Sequence, residues 1–441
     1  MNLSTPSRPG AARGVFRLAA WVTLLAFGVS CATTKLPPIS GSGAAFQPEP
    51  DEARLWKEAA EEEAKLRKAA KLYSDPLLED YLGDVVQRIN PTEMAANPAI
   101  DFRVTVLSDP TLNAFAYPTG SLYVHTGLLA RMENEDQLAT VLGHEMTHVE
   151  NRHMLRFQRS ARNKQLGFSI AAIAGAIVLA GEEGDAASQG DYGRAAQIGV
   201  LSDVLLGLGL TLAFVAAMSG YGRELEREAD QGGFAKMASA GYDVRESPQV
   251  YRALLEDHGD STKAEAFFFG SHPRLQERIE AAEQWAATHP DLVRESAVAD
   301  QAAFRRRMRP VIREDARLNL DLGRLKLAAD QLARVIEEIP EDAEAHALMG
   351  QVKVKMAEAA KSAEERNRLR ADAAESFREA IRLEPKHAAA HRELGVLAYR
   401  EKDYVTACTE LAAYLDLVPQ AADAQTARDY LLELRRDGHC R

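Results

Sequence analysis

Val141-Leu-Gly-His-Glu-Met-Thr-His-Val-Glu150 places His144 and His148 four positions apart with Glu145 between them. Positions i and i+4 share one face of a helix, so helical folding of this stretch lets both imidazoles point at a single metal ion. Apolar Val141, Leu142 and Val149 interleave with the polar positions, which suits a half-buried helix better than a solvated one. The order His-Glu-x-x-His is that of zinc sites in which two neutral imidazoles bind Zn²⁺ and the Glu takes a proton from the water that attacks a peptide carbonyl. His144 and His148 are therefore read as metal ligands and Glu145 as the catalytic base, one Zn²⁺ per chain. The bland alternative is an exposed polar helix.

Such a site needs a third protein ligand and leaves a fourth position to water. The best candidate lies in Tyr221-Gly-Arg-Glu-Leu-Glu-Arg-Glu-Ala-Asp230, where Glu226 and Asp230 share a helix face and Ala229 leaves room for close packing. Glu226 is read as the third ligand. Asp230 is read as the carboxylate that orients a ligand histidine, because metal-bound imidazoles usually donate their other N–H to such a group. Taken alone, this segment is an ordinary charged helix.

His144-Glu145-x-x-His148, followed by Arg223-x-x-Glu226-x-x-Ala229-Asp230, resembles the zinc metallopeptidases of the HtpX, BepA and Oma type, gluzincins whose third ligand is a Glu. Asn113–Leu129 resembles that family's strand upstream of the zinc helix, and His148-Val-Glu-Asn-Arg-His153 its continuation of the helix. Gly270-Ser-His-Pro-x-x-x-x-Arg278 resembles its late His-Pro loop. The match covers roughly residues 50 to 290 and implies Zn²⁺ on His144, His148 and Glu226 with Glu145 as general base. It also makes His272 a candidate regulatory residue, since in BepA-like members this histidine can reach the zinc and block the water position. The alternative is an ordinary loop histidine before a proline. His153 falls five positions after His148 and is read as a helix-packing residue facing another side.

Phe102–Leu107 and Ser121–Thr126 read as strands, and the turn at Tyr117-Pro-Thr-Gly120 joins Asn113–Tyr117 to the second as a hairpin. A strand beside a zinc site can hold an extended polypeptide by main-chain hydrogen bonds, which predicts broad specificity. Upstream, Leu66, Ala69, Ala70 and Tyr73 stand at helical spacing before Asp75-Pro76. The uncharged stretches Gly167–Ala180 and Val204–Met218 are shorter than a membrane span and are read as helices of a lid or membrane-facing plateau, with Gly181–Arg194 as a mobile loop between them. A transmembrane hairpin is the alternative.

Arg8, Arg13 and Arg17 precede the apolar run Leu18–Val29, as in a signal peptide. Ser30-Cys31 follows, so Cys31 is the candidate for lipidation, although Gly28 stands where a lipobox usually has Leu. Residues 1–31 are thus expected as a lipoprotein-type leader, 32–50 as a flexible tether, and the protein as exported to the periplasm and attached to the outer membrane. A soluble exported form is the alternative. Such a compartment permits a Cys408–Cys440 disulfide, which spacing alone does not establish. A net charge of −12 and the absence of a basic stripe argue against nucleic acid.

Gly395, Ala407 and Pro419 fit a tetratricopeptide unit, and Ala373, Phe377, Ala380 and Pro385 fit the one before it, with Pro385 and Pro419 one 34-residue period apart. The charged stretch 361–370 is read as an extension of a helical hairpin. The expected fold is mainly α (α+β): a gluzincin-type zinc peptidase domain at 51–300 with a small β-sheet beside the active-site helix, followed by a tetratricopeptide-repeat solenoid at 315–441 that offers a surface to envelope assembly proteins. The expected function is a zinc-dependent endopeptidase acting on unfolded or misassembled envelope proteins. The alternative is a periplasmic chaperone or scaffold that works through its repeats with the zinc site latent.

Overall fold

The computed structural model describes residues 35–41, 46–163, 221–257 and 275–440. Helix α1 spans Pro50–Ala69, and α2 spans Pro76–Ile89 with Asp75 capping its first amides and proline at its first position. A one-turn helix α3, Thr92–Ala95, leads into strands β1 (Arg103–Leu107), β2 (Ala114–Ala116) and β3 (Ser121–His125). The sheet order is β1-β3-β2, with β1 parallel and β2 antiparallel to β3. The hairpin between β2 and β3 turns at Tyr117–Gly120, where Gly120 takes φ +103°. Both faces of the sheet are covered. Val106, Ala114, Leu122 and Val124 join the main core with α2, while Phe115, Tyr117 and Tyr123 pack with Ala59 and Leu66 of α1. Tyr73 is not helical: α1 stops at Ala69, and the Tyr73 N–H donates to Val106 O because the chain here bridges the edge of β1.

Helices α4 (Thr126–Arg131), α5 (Glu135–Glu150) and α6 (His153–Asn163) follow. Leu138, Leu142, Met146 and Val149 of α5 enter the core at helical spacing, leaving His144 and His148 on another face. The start of α5 is anchored by buried Glu135, which accepts from Tyr81 at 2.5 Å, Tyr242 at 2.8 Å and Arg88 at 2.7 Å. Helices α7 (Arg223–Ala240), α8 (Ser247–Asp257) and α9 (Leu275–Thr288) pack around it.

The expected border between 300 and 315 falls inside one helix, α10 (Gln301–Asp321). Helices α11 (Leu325–Glu338) and α12 (Ala343–Ala359) share the main core with the sheet and α5. Beyond them, α13 (Ala363–Leu383), α14 (Ala388–Arg400), α15 (Tyr404–Leu417) and α16 (Ala424–Arg436) form successive antiparallel hairpins. Residues 363–370 are the first turns of α13, as the hairpin extension requires. Cys408 and Cys440 are disulfide-bonded with Cα atoms 5.7 Å apart, pinning the tail to α15. The tether expected at 32–50 is packed over part of its length: Ile39 is buried in the core, Ser40 hydrogen-bonds Glu150, and Phe46 packs on Trp56. An apolar isoleucine and an aromatic ring gain more by docking than a free tether allows. No described helix is long and apolar enough to cross a membrane.

The hairpins pack through small residues. A Cβ on Gly350 would lie 2.4 Å from the Phe377 ring, and one on Gly395 would lie 2.8 Å from Leu411. Gly350→Ala should therefore lower stability by about 1–3 kcal/mol. Gly83→Ala, in α2 where an added Cβ meets nothing within 4 Å, should raise it by up to about 1 kcal/mol. Thermal and urea unfolding of the two variants checks both signs.

Candidate metal centre

Helices α5 and α7 cross at glycine. A Cβ on Gly233 would sit 3.0 Å from the His144 backbone nitrogen, and one on Gly143 would sit 3.2 Å from the Gly233 carbonyl. A Cβ on Gly232 would meet Thr147 at 2.4 Å. This close approach carries Glu226 and Asp230, two turns and one turn earlier on α7, up to the histidine face of α5. The Glu226 carboxylate lies 3.3 Å from His144 Nε2 and 3.7 Å from His148 Nε2, and the two Nε2 atoms are 2.9 Å apart. One ligand atom from each of His144, His148 and Glu226 lies within 4.8 Å of the others, and all three residues are buried. The structure thus brings the three expected ligands together. The Tyr221 amide donates to Glu226 Oε1 at 2.9 Å, aiming the carboxylate.

Asp230 is where the sequence places it. His144 Nδ1 lies 2.9 Å from Asp230 Oδ1, so an imidazole that offers Nε2 to a metal can donate Nδ1–H to that carboxylate. Two further residues hold Asp230, neither of them given a role by the sequence. Arg278 donates to both its oxygens, at 2.6 and 3.0 Å, and the Tyr251 hydroxyl donates at 2.9 Å. The Arg278 guanidinium also stacks over the Tyr251 ring at 4.3 Å. Arg278 stood at the end of the His-Pro motif, which was the one available signal; Tyr251 had none.

Burial and the Arg278 charge push the His144 imidazole toward neutrality, but its hydrogen bonds to Asp230 and Glu226, which accept, outweigh them and hold it up at about 9. A cation taken up by the three donors displaces that proton, so metal uptake is coupled to proton release. Burial raises the Asp230 carboxyl, and the Arg278 charge and His144 more than reverse it, leaving it below its ordinary value. Burial, reinforced by Glu145 and Glu226, keeps the Tyr221 phenol well above its usual range.

Glu145 is buried and lines one cleft with His144, Asn113, Ala114, Tyr251 and Arg278. His153 departs from expectation. Helix α5 ends at Glu150, Arg152 takes φ +56°, and α6 begins at His153, so the helix is broken rather than continued. Its ring returns to His148, with the two Nδ1 atoms 2.8 Å apart. His272, Cys31 and the stretches 167–180, 181–194 and 204–218 lie outside the described residues.

Residues 76–286 match the model of peptidase family M48. The beta-barrel assembly-enhancing protease of Escherichia coli O157:H7 is 29% identical over 216 residues, 49% of this chain and 40% of that protein. The mitochondrial metalloendopeptidase OMA1 of Schizosaccharomyces pombe is 30% identical over 205 residues, 46% of this chain and 52% of that protein. The chain therefore spans about half or less of the length of these relatives. A solved tetratricopeptide protein of Thermus thermophilus covers 44% of this chain and 84% of its own at 17% identity, with a TM-score of 0.26.

Two substitutions separate the crossing from the carboxylate. Gly233→Ala should force α5 and α7 apart and weaken zinc binding together with stability, the latter by about 1–3 kcal/mol. Asp230→Asn leaves the crossing intact and should weaken zinc affinity by about 10–100-fold. Zinc titration against a chelator and thermal unfolding distinguish the two patterns.

Proposed function

We propose, from the match of residues 76–286 to the model of peptidase family M48, that the protein is a zinc-dependent endopeptidase acting on unfolded or misassembled envelope proteins. The observation that carries this reading is the convergence of His144, His148 and Glu226 in one buried cluster with Glu145 in the adjoining cleft. Two imidazole nitrogens and one carboxylate suit Zn²⁺ and leave a position for water. Zn²⁺ at this site supplies Lewis acidity and makes water acidic enough to lose a proton near neutral pH. With the metal bound, Glu145 would take a proton from the water as its oxygen attacks the peptide carbonyl carbon, and would deliver it to the amine as the C–N bond breaks. Asp230, itself fixed by Arg278 and Tyr251, holds His144 in the tautomer that leaves Nε2 free.

Strand β2 supports the choice of an extended polypeptide as substrate. Asn113 O accepts from His125 N and Tyr117 N donates to Ser121 O, so alternate residues of this strand bond to β3. Ala114 and Ala116 then turn their N–H and C=O groups away from β3. Asn113 and Ala114 line the cleft that holds Glu145, so a peptide added to that edge would lie beside Glu145.

The location we infer is the periplasm, with Cys31 as a lipid anchor to the outer membrane. The leader, the Cys408–Cys440 disulfide and the likeness to the beta-barrel assembly-enhancing protease support it. The hairpins α13 to α16 are the surface we assign to envelope assembly partners.

Glu145→Gln should keep stoichiometric zinc and lose cleavage of an unfolded casein by a factor of about 10² or more. Glu226→Ala should lose the metal. Metal analysis and casein degradation on both variants check this; a Glu226→Ala protein that retains zinc and activity removes the third ligand, and zinc loss in Glu145→Gln makes that residue structural.

A further inference from the structure

The two ligand histidines are held by different chemistry. His144 Nδ1 faces a carboxylate, Asp230, whereas His148 Nδ1 faces a second imidazole, the Nδ1 of His153, at 2.8 Å. An imidazole that gives Nε2 to a metal keeps its proton on Nδ1 and donates from there. His153 Nδ1 must then accept, which places the His153 proton on Nε2. That nitrogen is buried and makes no hydrogen bond; the facing Glu228 Oε2 lies 3.6 Å away, an ion-pair distance, and Arg156 donates to the same carboxylate at 2.7 Å. The hydrogen bond thus runs from His148 to His153, and the Glu228 carboxylate favours the His153 proton on Nε2 electrostatically.

We propose that His153 is a positioning residue of the metal centre: it fixes the ring plane and tautomer of His148, and the charge of Glu228, held by Arg156, favours the His153 tautomer that accepts. This inference rests on the zinc reading above.

The backbone is built for this contact. On an unbroken helix, a residue five places after His148 would lie roughly 140° round the axis from it. The break at Arg152 removes that angle. A non-glycine residue at φ +56° is strained and needs outside support. Buried Glu52 of α1 supplies it, accepting from Arg152 Nε at 2.8 Å and from its terminal nitrogen at 2.5 Å. The His153 ring that results is fully buried, meets His148 edge-on at 4.8 Å and 76°, and lies 6.1 Å from the Tyr221 ring that also packs on His148. Packing alone would be served by an apolar ring here; the nitrogen-to-nitrogen contact would not.

The test uses the full chain, stripped of metal and titrated with Zn²⁺ against a chromophoric chelator, with Co²⁺ absorption as a second readout. His153→Phe keeps the bulk and removes the acceptor, and should weaken zinc affinity by about 10–100-fold while altering the Co²⁺ spectrum. His153→Asn restores an acceptor near the place of Nδ1 and should recover most of that loss. Glu228→Ala, at a position 41% exposed where folding is not at risk, should weaken affinity in the same direction by a smaller factor. A folded His153→Phe with wild-type zinc affinity and Co²⁺ spectrum overturns the proposal, as does His153→Asn behaving no better than His153→Phe. Should His153→Phe fail to fold, unchanged affinity in Glu228→Ala overturns it instead. Wild-type protein that takes up no Zn²⁺ sinks the zinc reading itself, which is distinct from normal uptake that ignores His153.

Discussion

The distance between α5 and α7 governs the rest of the site. Gly143 and Gly233 meet with so little space that a single added Cβ would press on opposing backbone. At that separation a carboxylate one helix away reaches the nitrogens of the histidine pair, as Glu226 does at 3.3 and 3.7 Å. Helices packed through larger side chains lie about 8–10 Å apart, with the exact spacing set by the residues at contact. Glycine at the crossing therefore determines ligand geometry without itself touching a ligand side chain.

A close crossing fixes one point of α5; its direction is fixed at its ends. At the amino end, buried Glu135 gathers Tyr81, Arg88 and Tyr242, while Asp136 accepts from the Asp243 amide and from Gln301. A buried carboxylate with several donors is costly to disturb, because losing one partner leaves a charge uncompensated. Past the carboxyl end, the Arg152–Glu52 pair holds the break before α6. Lys236 of α7, buried, bonds Thr147 at 3.0 Å and pairs with Glu150 at 2.5 Å between these points. The histidine face thus sits in a frame whose members come from α1, α2, α7 and α10, far apart in sequence.

What the sequence disclosed follows from where the constraint is local. His144, Glu145 and His148 lie within one helical turn, so their spacing alone implies a shared face; Glu226 and Asp230 repeat that spacing on a second helix. The mainly helical fold with its hairpin strand was legible for the same reason, since periodicity is a local property. Gly232-Gly233 is also local, yet its meaning depends on which helix lies across it. Tyr251 and Arg278 reach Asp230 from two further helices; the His-Pro motif ending at Arg278 is the one signal near either residue, and it does not name Asp230 as the partner. His153 was placed on the wrong side because a helical count of five assumes an unbroken helix, and the break depends on Glu52, a hundred residues upstream.

The same dependence on distant partners joins the amino-terminal α+β core to the helical hairpins. The border expected at 300 to 315 from the family resemblance and the repeat spacing cuts α10, whose first residue, Gln301, reaches Asp136 at the start of the helix that carries His144 and His148. Farther along α10, Glu314 accepts from Lys71 at 2.9 Å and from Ser108 at 2.6 Å, and buried Asp315 accepts from Gln331 of α11 at 2.6 Å. Burial drives the Asp315 carboxyl up to about 6, against the help of Gln331 and two arginines. Arg334 of α11 donates to the Ala130 carbonyl, and Ala316, Leu332 and Leu348 continue the apolar core that holds Leu138 and Leu142. An interface of that kind, apolar at its centre and tied by buried polar groups, does not hinge freely. Tetratricopeptide hairpins are quasi-independent where each contacts only its neighbours. Here the first helical hairpin rests on the core shared with the sheet and α5, so the array begins from a fixed base, and α10 transmits the position of that base to the helix that carries His144 and His148.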